Sequence, residues 1–111
     1  MLTSVAKKLK KNQLVHLRKY YFREVEFGFC PTLTANMGMG GHNVPFLLEP
    51  NGLRKLTERE CLNLQGFEAD FKFPTHLAHN VQYRMIGNSV SPKVADLVAR
   101  RVLTTLEDRV N

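Results

Sequence analysis

A chain of 111 residues, 43% hydrophobic and 23% charged, is one small unit, large enough for a modest core and too short for two independent domains. No apolar run approaches the roughly 20 residues of a membrane span, and the first residues lack the apolar core and cleavage site of an export signal, so no membrane partner and a cytoplasmic location are expected. The net charge of +6 divides as +5 over residues 1–30, −1 over 31–74 and +2 over 75–111, which points the N-terminal end toward a polyanion such as a nucleic-acid backbone.

Ser4 to Leu14 reads as a short basic helix with a thin apolar stripe of Val5, Leu9 and Leu14. Its lysines Lys7, Lys8, Lys10 and Lys11 form either a phosphate-binding patch or a solvated face. From Leu17 to Phe29 the density of aromatic and β-branched residues predicts a strand that Gly28 ends. Pro31 to Ala35 is expected as a second strand, because Thr32, Leu33 and Thr34 alternate polar and apolar. Asn36 to Asn43 then places Gly38, Gly40 and Gly41 within eight residues, too many for a regular element. This is a loop whose glycines permit close approach of a ligand to the backbone, or else an ordinary hairpin loop whose glycines serve only the turn. Phe46 to Leu48 is a third strand, and Pro50-Asn51-Gly52 is a tight turn that returns the chain along Leu53 to Leu56 as a hairpin.

The clearest local signal follows. Thr57 and Glu60 stand three apart ahead of an apolar run, the spacing at which hydroxyl and carboxylate cap each other's backbone N–H, and Gly66 supplies a left-handed stop. A helix of about two turns, Glu58 to Gln65, is predicted. Phe67, Phe71 and Phe73 supply core in an irregular stretch, and Leu77, Val81 and Met85 at i, i+4, i+8 predict a helix over Thr75 to Met85 that stops near Gly87. Ser91 then caps a last helix, Pro92 occupies its first position, and Val94, Val98, Val102 and Leu106 form its apolar stripe, with Arg100 and Arg101 on the opposite face. Cys30 and Cys61 are free thiols, and His16, His42, His76 and His79 make no metal-ligand spacing with them, so no metal is expected.

Three stretches in order carry a resemblance. LRKLTERECLNLQGF and QYRMIGNSVSPKVADLVA resemble the ninth and tenth signature blocks of the DNA cytosine-5 methyltransferases. CPTLTANMGMGGHNVPFLL is similar to the end of the target-recognition region that precedes those blocks in many bacterial members. The resemblance implies an α+β partial domain completed by a Rossmann-like catalytic part, with residues 1–52 ending the recognition region and residues 53–111 carrying the signature blocks and a helix that returns to the catalytic domain. Thr32, Thr34, Asn36, Gly38, Gly40, Gly41 and Asn43 would then face double-stranded DNA, and Asn88, Ser89 and Val90 would border the amino-acid end of S-adenosyl-L-methionine. The alternative at Asn88 and Ser89 is simple helix capping, and the two roles are compatible.

Several blocks of the family pattern are missing from these residues. There is no Pro-Cys, since Cys30-Pro31 runs in the reverse order, so Cys30 is not the nucleophile and no residue here is expected to be catalytic. There is no Glu-Asn-Val, because His42-Asn43-Val44 and His79-Asn80-Val81 carry His where the acid would stand. The Phe-x-Gly-x-Gly loop is absent, and Gln82-Tyr83-Arg84 offers only one arginine of a Gln-x-Arg-x-Arg block. The expectation is a C-terminal half or small subunit, inactive alone, whose partner is the N-terminal catalytic half or large subunit. A stand-alone DNA-binding module and the product of a broken gene are the competing readings.

Overall fold

The computed structural model describes residues 12–17, 21–39 and 44–110. Among the described residues the architecture is α+β: a four-stranded antiparallel sheet followed by three helices. The strands are β1 (Leu14–Leu17), β2 (Phe22–Glu24), β3 (Val44–Glu49) and β4 (Gly52–Lys55), in the spatial order β2-β1-β3-β4. The helices are α1 (Glu58–Gln65), α2 (His79–Asn88) and α3 (Pro92–Val110).

The sheet is built from local pairings and one longer-range one. Glu49 and Gly52 close the β3–β4 hairpin around Pro50 and Asn51, and Gly52 takes a φ of 128°, which only glycine adopts without strain. Leu17 lies opposite Phe22 in the β1–β2 pair, and Val15 lies opposite Phe46 in the β1–β3 pair. Phe22 and Phe46 meet edge to face at 5.7 Å. The strand expected over Leu17 to Phe29 is thus two shorter pieces of one reversal, and Gly28, at φ 89°, belongs to a later turn. The basic helix expected over Ser4 to Leu14 falls mostly outside the described residues, and its last residue, Leu14, is in β1.

Pro31 to Ala35 is not a strand. Residues 31–34 join no element, and the chain then curls into consecutive turns, the Met37 N–H bonding the Thr34 carbonyl at 3.2 Å and the Met39 N–H the Asn36 carbonyl at 3.0 Å. The gain that outweighs alternation is burial of Met37, which is 0% exposed at the centre of the core with Leu56, Cys61, Leu62, Tyr83 and Ile86.

Helix α1 forms as its sequence dictates. The Glu60 N–H bonds Thr57 Oγ1 at 3.2 Å, Glu60 Oε2 accepts the Thr57 N–H at 2.8 Å, and Gly66 at φ 98° returns its N–H to Leu62. Arg59 reaches from α1 to the Phe71 carbonyl at 2.6 Å, which ties the aromatic stretch of Phe67, Phe71 and Phe73 to the helix.

Helix α2 starts four residues later than the apolar spacing suggests. Ala78 is extended (φ −66°, ψ 150°), and the preceding residues turn so that the Leu77 N–H bonds the Pro74 carbonyl. The stripe that packs is Tyr83 and Ile86, while Met85 is half exposed. The helix ends at Asn88, one residue past Gly87, in line with the expected stop. Truncating Ile86 to Ala would leave a core cavity costing about 2–5 kcal/mol.

Candidate functional site

The predicted DNA-facing residues begin on the turn that follows Pro31. Thr32 and Asn36 are exposed, and the Thr34 hydroxyl donates to Asn36 Oδ1 at 2.7 Å, which fixes the Asn36 amide group. At Gly38 a Cβ would stand 2.7 Å from Cδ2 of Tyr83, so its missing side chain serves packing. Tyr83 is in turn held from below, its hydroxyl donating to the Leu56 carbonyl and its ring lying 4.5 Å from Lys55 Nζ. Burial raises the Tyr83 phenol above its ordinary range. Gly40, Gly41 and Asn43 lie outside the described residues.

The second predicted cluster sits at the junction of α2 and α3. Asn88 is the last residue of α2 and is exposed, Ser89 caps it, and Val90 and Ser91 link to Pro92. The Ser89 N–H and hydroxyl both donate to the Ile86 carbonyl, at 3.1 and 2.6 Å, while Gln65 Nε2 donates to the Ser89 carbonyl at 3.0 Å and to its Oγ at 3.2 Å. A hydroxyl has one proton and two lone pairs. With the proton and one lone pair used, Ser89 has one acceptor position left, suited to an ammonium, while the exposed Asn88 amide and the N-terminal end of α3 present donors suited to a carboxylate. The residues therefore fit the amino-acid end of S-adenosyl-L-methionine, the cofactor this fold of blocks implies. Ser91 contributes its carbonyl to the first turn of α3, accepting from Ala95 N–H at 3.0 Å.

An apolar cavity of about 160 Å³ lies alongside, lined by Leu62, Phe67, Phe71, Phe73, Met85 and Ile86 and reaching Ser89. Helix α3 leaves the body with no buried residue. Val94, Val98, Val102 and Leu106 are each more than half exposed, and Val98, Val102 and Leu106 line a groove of about 380 Å³. Arg101 lines the same groove, so it flanks the apolar stripe and does not lie opposite it as the sequence reading had it; Arg100 pairs instead with Asp96 at 2.9 Å.

Neither thiol has the setting of a nucleophile. Burial pushes Cys30 up to about 11 and Cys61 up to about 12, and Cys30 Sγ donates to the Pro31 carbonyl at 3.2 Å. Among the described residues no group of three His, Cys, Asp or Glu side chains converges on a metal position, and no helix is long and apolar enough to cross a membrane.

The family model for C-5 cytosine-specific DNA methylases matches residues 2–104. The chain belongs to this family. It is 47% identical over 89 residues to the Type II methyltransferase M.Bsp6I of Bacillus sp. (strain RFL6), covering 80% of this chain and 28% of that protein. It is 32% identical over 79 residues to M.SsoII of Shigella sonnei (71% of this chain, 20% of that protein) and 34% identical over 106 residues to M.BanI of Aneurinibacillus aneurinilyticus (74% and 22%). The chain thus spans at most about 28% of the length of these relatives. No solved structure matches it. Enzymes of this methylase family use S-adenosyl-L-methionine as methyl donor.

The sequence reading missed Gly87 and Tyr83, on which the turn of residues 34–39 rests. Gly87 reads locally as a helix stop, so nothing in its neighbourhood signals the contact with Thr34 and Ala35.

Proposed function

We propose that this chain is the C-terminal part of a DNA (cytosine-5) methyltransferase, supplying target recognition and one wall of the S-adenosyl-L-methionine pocket, and inactive without the rest of the enzyme. Residues 1–52 end the recognition region and residues 53–111 carry the last signature blocks. Thr32, Thr34, Asn36, Gly38, Gly40, Gly41 and Asn43 face the DNA, and Asn88, Ser89 and Val90 border the cofactor. The nucleophile comes from the catalytic part, and the enzyme works on cytoplasmic DNA.

The observation that carries this reading is that 80% of the chain aligns with 28% of M.Bsp6I while its 111 residues contain no Pro-Cys. The uncovered stripe of α3 supports it, because an apolar face of that extent on a small unit calls for a covering surface. Attack on a cytosine ring also requires the base to leave the stack, which calls for a surface that grips the flanking strand. A stable covalent adduct needs the nucleophile, so the purified chain transfers no methyl group from labelled S-adenosyl-L-methionine to any duplex.

Mixing tests the proposal. The full chain combined with M.Bsp6I truncated to lack the matched segment should methylate DNA, while neither component does so alone. Methylation by this chain alone, surviving replacement of Cys30 and Cys61, would overturn the reading, as would a mixture no more active than its components.

A further inference from the structure

A Cβ built on Gly87 would stand 2.2 Å from the carbonyl carbon of Thr34, 2.3 Å from the nitrogen of Ala35 and 2.4 Å from the Thr34 oxygen. These are backbone atoms, which cannot swing aside as a side-chain tip can. The contact has neighbours along the same helix. Gly38 meets side-chain atoms of Tyr83, Cδ2 at 2.7 Å and Cβ at 2.8 Å from the position of a Cβ, and Asn80 Nδ2 reaches Met39 Sδ at 3.8 Å. Asn80, Tyr83 and Gly87 stand at i, i+3 and i+7, one face of α2, so the turn from Thr34 to Met39 runs along that helix with Met37 buried beneath it. Asn88 to Val90 follow directly after Gly87.

We propose that Gly87 is a positioning residue for the DNA-facing turn: by lacking a side chain it sets the depth at which Thr32 to Asn36 stand relative to Asn88 to Val90, so that one backbone contact registers the target-recognition edge against the cofactor edge. This rests on the reading that these two segments face DNA and cofactor. A methyl group at residue 87 forces the Thr34–Ala35 peptide outward by roughly 1 Å before ordinary contact is regained. The displacement falls on residues 31–35, which belong to no helix or strand, because Gly87 is held within α2 between Ile86 in the core and Ser89, itself bonded to Ile86 and Gln65. Thr34 Oγ1 and its bond to Asn36 move with the peptide. A turn displaced by this distance loses the contacts to the DNA strand that its parent depth allows, so the cost falls on DNA binding and site discrimination.

The test uses the assembled enzyme of the mixing assay and separates kcat from the two KM values. Gly87→Ala should raise KM for DNA roughly tenfold or more and weaken discrimination against sites changed at one base, with KM for S-adenosyl-L-methionine within about twofold of the parent. Gly38→Ala pushes on the same turn from Tyr83, at 2.7 Å from Cδ2 and 2.8 Å from Cβ, and should show the same pattern at smaller amplitude because the approach is less close than at Gly87. Gly52→Ala is the matched control: at φ 128° it carries backbone strain but meets nothing within 4 Å, so it should leave both KM values unchanged. If Gly87→Ala lowers kcat with both KM values unchanged, as a mere loss of folded protein does, the inference is overturned; so it is if the two KM values rise together. Should Gly87→Ala fail to fold by circular dichroism, Gly38→Ala decides by the same criterion. An unchanged KM for DNA in Thr32→Ala/Asn36→Ala would instead sink the parent reading, and the inference with it.

Discussion

Arg54 grips both carboxylate oxygens of Glu60, Nη1 at 2.9 Å from Oε2 and Nη2 at 2.7 Å from Oε1, while its Nε reaches Glu49 at 2.8 Å. One guanidinium therefore joins the β3–β4 hairpin to the first turn of α1, and the same Glu60 carboxylate closes the cap on Thr57. The pairing with Arg54, against the opposing effect of burial, holds Glu60 down at about 2. Its folded value is depressed, so the stability it contributes is complete above the unfolded carboxylate value of about 4.3 and is lost as pH falls toward the folded value. Thermal unfolding of the chain should show Tm dropping between about pH 4.5 and 2. Glu60→Gln should lower Tm at neutral pH and make the acid drop shallower; equal acid slopes in the two proteins would show that this pair does not set it.

Removing the other half of the cap tests the same helix without touching charge. Thr57→Ala leaves the Glu60 N–H without its hydroxyl partner and should destabilise the chain by about 1 kcal/mol in urea titration. Thr57→Ser, which keeps the hydroxyl, should cost much less, and identical losses in the two variants would argue against the cap.

Val98 is 58% exposed in this chain. Val98→Asp should therefore change the chain's own stability by no more than about 0.5 kcal/mol, the range of a surface substitution. In the mixing assay it should abolish methylation, because in the proposed assembly the carboxylate would enter a seam buried by the catalytic part, at a cost of several kcal/mol. Arg100→Ala, off the groove, is the control and should remain active. Equal activity of the two variants would remove α3 from the assembly seam.

Cys30 at about 11 is thiolate to only about one part in a thousand at pH 8. Iodoacetamide should label the native chain slowly at that pH, and Cys30→Ala should retain kcat in the mixing assay. Loss of methylation in that variant, with folding intact by circular dichroism, would reassign the nucleophile.

The basic N-terminal segment is tested by salt. Binding of the chain to duplex DNA should be weak, with log K falling linearly as log salt rises. Replacing Lys7, Lys8, Lys10 and Lys11 by Ala should flatten that slope without altering sequence preference. An unchanged slope would make these lysines a solvated face.

What the sequence determined by itself is local. Thr57, Glu60 and Gly66 specify α1 because their interactions span three or four residues and need no tertiary partner, and Pro50-Asn51-Gly52 specifies the β3–β4 hairpin for the same reason. The order of the signature blocks was also legible, and with it the family. Alternation at Thr32, Leu33 and Thr34 pointed to a strand, but burial of Met37 under Tyr83 and Ile86 decided for a turn. Periodicity placed Leu77, Val81 and Met85 on the packing face of α2, whereas the face was chosen by what lay against it, the peptide of Thr34 and Ala35 and the carbonyl of Leu56. Those contacts join residues 27 to 53 positions apart, and no pattern confined to one helical turn encodes which of its sides a distant segment will press upon.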